Sequence, residues 1–212
     1  MLLVLTAITV AVVGLLAYVN ELTKEPIAAA NMKTLNDALK SVVPTFDNNP
    51  VAECDTVYHE EAGKKKMFIV YPAKKDGEVV GTAVEAISLG FGGELNVLVG
   101  FDSGGNIYDY SLLSHTETPG LGSKADTWFK EGGKGSIVGM NPGEVALVVK
   151  NDGGQIDAIT ASTITSRAFL NAINEAYATY MKSPDTYTSA SRQNKNTAKT
   201  EQVEPTDSIS AN

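Results

Sequence analysis

Val79-Val80-Gly81-Thr82-Ala83-Val84-Glu85-Ala86-Ile87 and Glu94-Leu95-Asn96-Val97-Leu98-Val99-Gly100-Phe101, separated by Gly90-Phe91-Gly92-Gly93, decide the fold class of this chain. Both runs are rich in β-branched residues, and the glycines between them supply turn chemistry, so the pair reads as adjacent strands. Met67 to Tyr71 predicts a strand before them, with Lys74–Gly77 as the turn. Beyond Asp102–Asn106 a further strand is predicted over Ile107 to Leu113, and another over Val145 to Lys150. Trp128 and Phe129 fall in a short helical piece ahead of Gly132 and Gly133. Thr165 to Met181 is the clearest helix, with Phe169, Ile173, Ala176 and Tyr180 on one side. Strands followed by helices predict an α+β fold, an antiparallel or mixed sheet packed by helices.

The first segment has a different character. Met1 to Asn20 holds no charged side chain, and Leu2 to Val19 is almost wholly apolar. At about 1.5 Å per residue such a helix spans roughly the 30 Å of a bilayer's hydrocarbon core. A cleaved signal peptide is the competing reading, but the basic n-region and an A-x-A site are both missing. Residues 1–20 are therefore expected to form a single transmembrane helix, 21–50 a helical stalk or linker stopped by Pro44, and 51–182 the folded domain. Residues 183–212, mostly Ser, Thr, Asn, Lys and Glu, read as a disordered polar tail. Lys24 and Lys33 follow the span, which on the positive-inside rule places the domain in the cytoplasm. Glu21 and Glu25 beside them weaken that signal, and long domains cross regardless of charge.

Composition removes several functions. The net charge of −8 and the want of a basic run argue against nucleic acid. A single cysteine, Cys54, excludes an internal disulfide and thiolate-held metal clusters, and two histidines argue against a histidine-rich metal site. Redox or ligand chemistry must come from an organic cofactor or from oxygen ligands.

One segment concentrates hydroxyls: Asp157-Ala158-Ile159-Thr160-Ala161-Ser162-Thr163-Ile164-Thr165-Ser166, at the junction of an apolar stretch and a helix. Ser and Thr there cap the free amides of a first turn. The same amides, with the helix dipole, also favour a phosphate. The two readings are compatible, since one hydroxyl caps while another meets a ligand.

This segment resembles the flavinylation motif S-G-A-T-x-T/S of the RnfG/NqrC family of FMN-binding subunits, with Asp157 matching the family's preceding acidic residue. Thr160, Ala161 and Ser162 stand where the family has serine, glycine and alanine; Thr163 matches the flavin-accepting threonine and Thr165 the final hydroxyl. Alanine at 161 fits poorly if that backbone needs a positive φ. A second stretch, Gly90-Phe91-Gly92-Gly93 and Val97-Leu98-Val99-Gly100 leading to His115-Thr116-Glu117-Thr118-Pro119-Gly120-Leu121-Gly122, is similar to the family's glycine-rich strand pair and H-x-E-T-P-G-L-G. Asn20-Glu21-Leu22-Thr23-Lys24-Glu25-Pro26-Ile27 after the span resembles the RnfG branch of the family.

The resemblance implies FMN joined through its phosphate to Thr163 by an FAD-dependent flavin transferase, with Thr160, Ser162, Thr165 and Ser166 around the attachment point. It implies that the amides of the Thr165–Arg167 turn receive the phosphate, while Arg167 reads first as solvated and second as a phosphate donor. The Glu117–Gly122 loop, with Glu117, Thr118, Gly120 and Leu121, is expected to approach the ring, Glu117 and Thr118 offering it polar groups. His115 reads as structural, and Trp128 and Phe129 as core.

In function, the resemblance implies an electron-transfer subunit of an Rnf-type complex in the bacterial inner membrane, coupling ferredoxin:NAD+ electron flow to Na+ or H+ transport among other membrane subunits. A covalent tether suits an extracytoplasmic domain, where no FMN pool replaces a lost cofactor. An NqrC-like subunit of a Na+-translocating NADH:quinone reductase is the neighbouring alternative. A stand-alone membrane-anchored flavin reductase would turn over donor and acceptor alone, and a binding scaffold would stay colourless.

Overall fold

The computed structural model describes residues 1–61 and 64–182; the expected polar tail lies outside the described residues. The chain divides into two compact units, Met1–Asp37 and Ala38 onward. Helix α1, Leu2–Val42, supplies all but the first residue of the first unit.

In that unit the apolar side chains from Met1 to Val19 are exposed, and an 18-residue window has a mean hydropathy of 2.6. Among the described residues α1 is the one helix long and apolar enough to cross a membrane. Three of its threonines turn their hydroxyls back onto the helix: Thr6, Thr9 and Thr23 donate to the carbonyls four residues earlier at 2.6, 2.8 and 2.9 Å. That arrangement suits a solvent offering no hydrogen bonds. Pro26 sits inside the helix. The change of composition after residue 20 is thus not a change of backbone.

The second unit opens with the last turn of α1, where Ala38, Leu39 and Val42 are buried. Pro44 blocks further turns by its clash with the preceding residue. Five strands follow as an antiparallel meander: β1 Asp55–Glu61, β2 Lys64–Lys75, β3 Glu78–Leu89, β4 Glu94–Asp102 and β5 Ile107–His115, in that spatial order. The β2–β3 hairpin turns through Asp76 and Gly77 with φ of 53° and 82°, the doubly left-handed turn whose twist matches the strands. In the β3–β4 turn, the Gly90 amide donates to the Gly93 carbonyl at 2.8 Å.

Alternation sorts the sheet's two faces. Val84, Ala86, Leu95, Val97, Val99 and Phe101 point to a core completed by α3, Thr163–Lys182, through Phe169, Leu170, Ile173, Ala176 and Tyr180. Phe129 and Phe169 stack there at 4.5 Å between centroids, and Tyr110 meets Phe169 edge-on. On the other face, Tyr71, Ala73, Ala83 and Leu98 are buried. Gly100 lies there against the backbone of α1's last turn: a Cβ on it would stand 1.7 Å from the Val42 carbonyl oxygen. Between β5 and α3 run a 3₁₀ turn, Gly122–Lys124, the short helix α2, Ala125–Trp128, and a second 3₁₀ turn, Lys150–Asp152.

The sheet is wholly antiparallel, and the expected strand over Val145 to Lys150 is not one. It makes a single parallel bridge, Val149 to Ile156. Asn174 of α3 explains the difference. Its side-chain amide accepts from the Leu147 N–H at 3.3 Å and donates to the Leu147 carbonyl at 3.0 Å, replacing a neighbouring strand. The converse case is β1, whose Asp55-Thr56-Val57-Tyr58-His59-Glu60-Glu61 has too little apolar alternation to announce a strand. Charged residues are usual on an edge strand, where they discourage further pairing.

Candidate functional site

The hydroxyl-rich segment enters α3 by a tight turn. Ala161 adopts φ +62°, the left-handed region, so the expected difficulty with alanine is present. The Ser162 amide donates to the Ile159 carbonyl at 2.9 Å, closing the turn. Ser166 staples it: its hydroxyl accepts from the Ile159 amide at 2.9 Å and donates to the Ser162 carbonyl at 3.0 Å. Ser166 is fully buried, Thr165 nearly so, and Ser162 is buried at 9% exposure. Thr160 and Ala161 are exposed, and Thr163, the first residue of α3, is half-buried.

The position of the helix start decides which amides lack a helical acceptor. The Ser166 amide is spent on the Ser162 carbonyl at 3.0 Å. Helical geometry leaves the amides of Thr163, Ile164 and Thr165 without an intrahelical acceptor. The free donors therefore begin at Thr163 and end at Thr165, earlier than the expected Thr165–Arg167. Arg167 is exposed, and its guanidinium is taken by an acidic neighbour. Its Nε and Nη2 grip Asp152 at 2.7 and 2.6 Å, which lowers the Asp152 pKa and raises that of Arg167.

Glu117 joins this helix end to the sheet. The residue is 6% exposed. Oε1 accepts from the Phe91 amide at 2.8 Å and the Gly92 amide at 3.3 Å; Oε2 accepts from the Thr165 hydroxyl at 2.9 Å. Three glycines make room for it. A Cβ at Gly90 would lie 2.0 Å from Glu117 Oε1, one at Gly122 2.3 Å from Oε2, and one at Gly92 2.3 Å from the Thr116 carbonyl. The glycine-rich turn, the Thr116–Gly122 loop and the first turn of α3 thus meet at one carboxylate.

The rest of the loop is set by its own turn. The Thr118 carbonyl accepts from the amides of Leu121 and Ser123 at 3.1 and 3.3 Å. Gly120, with φ +76°, donates its amide to the Ser123 hydroxyl at 2.9 Å. Thr118 and Gly120 are exposed. On the segments that meet at Glu117, Phe91, Leu121 and Ile164 expose 70%, 40% and 52% of their surface. Trp128 is half-buried, its indole N–H donating to the Asp157 carbonyl at 2.8 Å just before the turn. His115 is partly buried, with Nε2 at 3.6 Å from the Asp126 carboxylate.

Thr160, Thr163, Ser162, Thr165, Ser166 and Glu117 are therefore gathered, but with divided tasks. Thr165 and Ser166 spend their hydroxyls on the fold, and Glu117 spends both oxygens on protein donors. Phe91 and Ile164 were not expected at the site; their apolar side chains on a turn and a first helical turn were the available signal. A half-buried threonine at the first turn of α3, with exposed apolar side chains on neighbouring segments, fits a phosphate carrying a planar ring.

Comparison with known proteins identifies the family. Residues 90–178 match the FMN-binding domain family, and residues 3–42 match the RnfG N-terminal region. The chain is thus an FMN-binding-domain protein with an apolar N-terminal helix. It is 34% identical over 172 residues to the G subunit of the ion-translocating oxidoreductase complex of Vibrio cholerae, covering 77% of this chain and 80% of the relative. To the corresponding protein of Aliivibrio fischeri it is 36% identical over 181 residues (82% and 86%), and to that of Cereibacter sphaeroides 34% over 166 residues (76% and 74%). This chain belongs to the RnfG family, the G subunits of ion-translocating oxidoreductase complexes.

Proposed function

We propose that this chain is the flavin-carrying subunit of an Rnf-type ion-translocating complex, with FMN esterified through its phosphate to Thr163. The observation that carries the reading is the half-buried Thr163 at the first position of α3, beside the amides of Thr163, Ile164 and Thr165. In the maturing reaction the Thr163 oxygen bonds to the FMN-side phosphorus of FAD, the pyrophosphate linkage breaks, AMP leaves and the hydroxyl proton passes to a base. A flavin transferase performs that step; Thr163 is the acceptor. The ester retains one negative charge, which the helix end and its amides stabilise.

FMN supplies the redox chemistry, and the chain's residues hold and shield it. Thr163 fixes the tether, while Phe91, Leu121 and Ile164 offer apolar surface. The domain faces the extracytoplasmic side, where a tether keeps an effective concentration on the order of mM that no free pool provides. Helix α1 anchors it among the other membrane subunits, and the relay serves electron flow from ferredoxin to NAD+ coupled to Na+ or H+ movement. Residues 1–20 span the membrane, and residues 51–182 form the flavin domain.

Denaturing-gel flavin fluorescence tests the attachment. Full chain co-expressed with the transferase is expected to glow and to gain the mass of FMN less water, whereas Thr163→Val loses both. Equal fluorescence in the two would defeat the assignment of Thr163. Protease accessibility of the domain in spheroplasts tests the side.

A further inference from the structure

The chain contains a buried carboxylate that flavin attachment does not use. Glu117 accepts from two amides and one hydroxyl, and in none of these bonds does it donate. An acceptor-only carboxylate is the ionised form. These three partners are neutral, so the negative charge is held rather than cancelled. The cation in the first turns of α3, Arg167, is already bound by Asp152. His115, two residues before Glu117, faces Asp126.

This charge sits at the meeting point of the site's parts. Thr165, its hydroxyl partner, is in the same first turn as Thr163. Phe91, whose amide it holds, and Leu121, beside the close-packed Gly122, present the exposed apolar surface. At 6% exposure the carboxylate is little screened by water, so its field reaches a neighbour more strongly than a surface charge would.

We infer that Glu117 is a positioning and charge-bearing residue that lowers the reduction potential of a flavin tethered at Thr163, without touching the ring. Electrons added to the ring increase its negative charge wherever protons do not follow one for one, and a fixed anion opposes that gain. The same carboxylate clamps the Phe91 turn to the helix end, so position and potential are set by one group. This rests on the reading of Thr163 as the flavin acceptor.

The test is an equilibrium titration of full chain, co-expressed with the transferase and purified in detergent, with dithionite as reductant and a reference dye. Glu117→Gln keeps an acceptor oxygen and removes the charge. At a fixed potential its reduced-to-oxidised ratio is expected to rise about tenfold, equivalent to about 30 mV for a two-electron couple. An unchanged or lower ratio overturns the inference. Should Glu117→Gln fail to fold or load, Thr165→Val decides. It keeps the charge and removes a donor that moderates it, so the ratio must fall; an unchanged or higher ratio overturns the inference. Intact mass on each sample separates the two levels: wild-type chain without added FMN mass defeats the acceptor reading, whereas loaded chain with an insensitive potential defeats only the role of Glu117.

Discussion

The Trp128 indole N–H donates to the Asp157 carbonyl at 2.8 Å, tying the segment after β5 to the entry of the Thr163 turn. Gly135 is wedged against both groups, since a Cβ there would lie 2.6 Å from the Asp157 oxygen and 2.9 Å from the indole. Trp128→Phe keeps most of the apolar volume and removes the donor. It is expected to cost about 1–2 kcal/mol, because a half-buried carbonyl loses its partner. A lower denaturation midpoint with an unchanged slope is the expected result; no change in midpoint would show the bond to be dispensable.

Ala161 stands in the left-handed region at φ +62°. A Cβ there costs about 1–2 kcal/mol, of which glycine's greater freedom in the unfolded chain returns part. Ala161→Gly is expected to stabilise the full chain by roughly 0.5–1 kcal/mol, seen as a rise in melting temperature. Stability unchanged or reduced would refute the strain.

Gly100 and Gly14 give opposite expectations for one substitution. Alanine at Gly100 meets the Val42 carbonyl oxygen at 1.7 Å and its carbon at 2.5 Å, and backbone does not yield as a side chain does. A loss of about 3 kcal/mol or more, or failure to fold, is expected from Gly100→Ala. Gly14→Ala meets nothing within 4 Å and leaves melting of the domain unchanged. Limited proteolysis of the two variants compares them directly.

His59 makes stability depend on pH. Burial, then the charge of Lys182, pulls its pKa below the ordinary 6.5, with Glu175 opposing. Below pH 6.5 the unfolded chain binds this proton more readily than the folded one, so stability falls as pH drops from 6.5 towards the folded value. Above 6.5 the contribution is level. Melting temperatures of wild type and His59→Gln between about pH 7.5 and 5.5 check the sign: the variant is expected to lose less on acidification.

Central strands and α3 were legible because period and composition agree there: β3, β4 and α3 carry their apolar residues at the spacing of the face they bury. The edge strand β1 was not, since its pairing with β2 rests on backbone bonds and its side chains are mostly polar. Val145 to Lys150 misled for the opposite reason. Leu147 and Val149 are buried, yet an asparagine distant in sequence takes the backbone bonds of Leu147. At the site, the order of residues located Thr163 at a helix start and Glu117 in a close glycine-lined loop. That Glu117 meets Thr165 rather than open space depends on a contact spanning 48 residues, which local sequence does not encode.

The last turn of α1 belongs to the interior of the second unit, because Leu39 and Val42 are buried and Gly100 has no side chain to hold Val42 away. Where oil-like sequence ends and where the folded body begins are consequently different places. Anyone wishing to release the body into water has a window for the cut, after the apolar stretch and before Ala38. A cut placed at the proline that visibly ends the helix would instead remove the buried Leu39 and Val42 and leave Gly100 facing an empty seat.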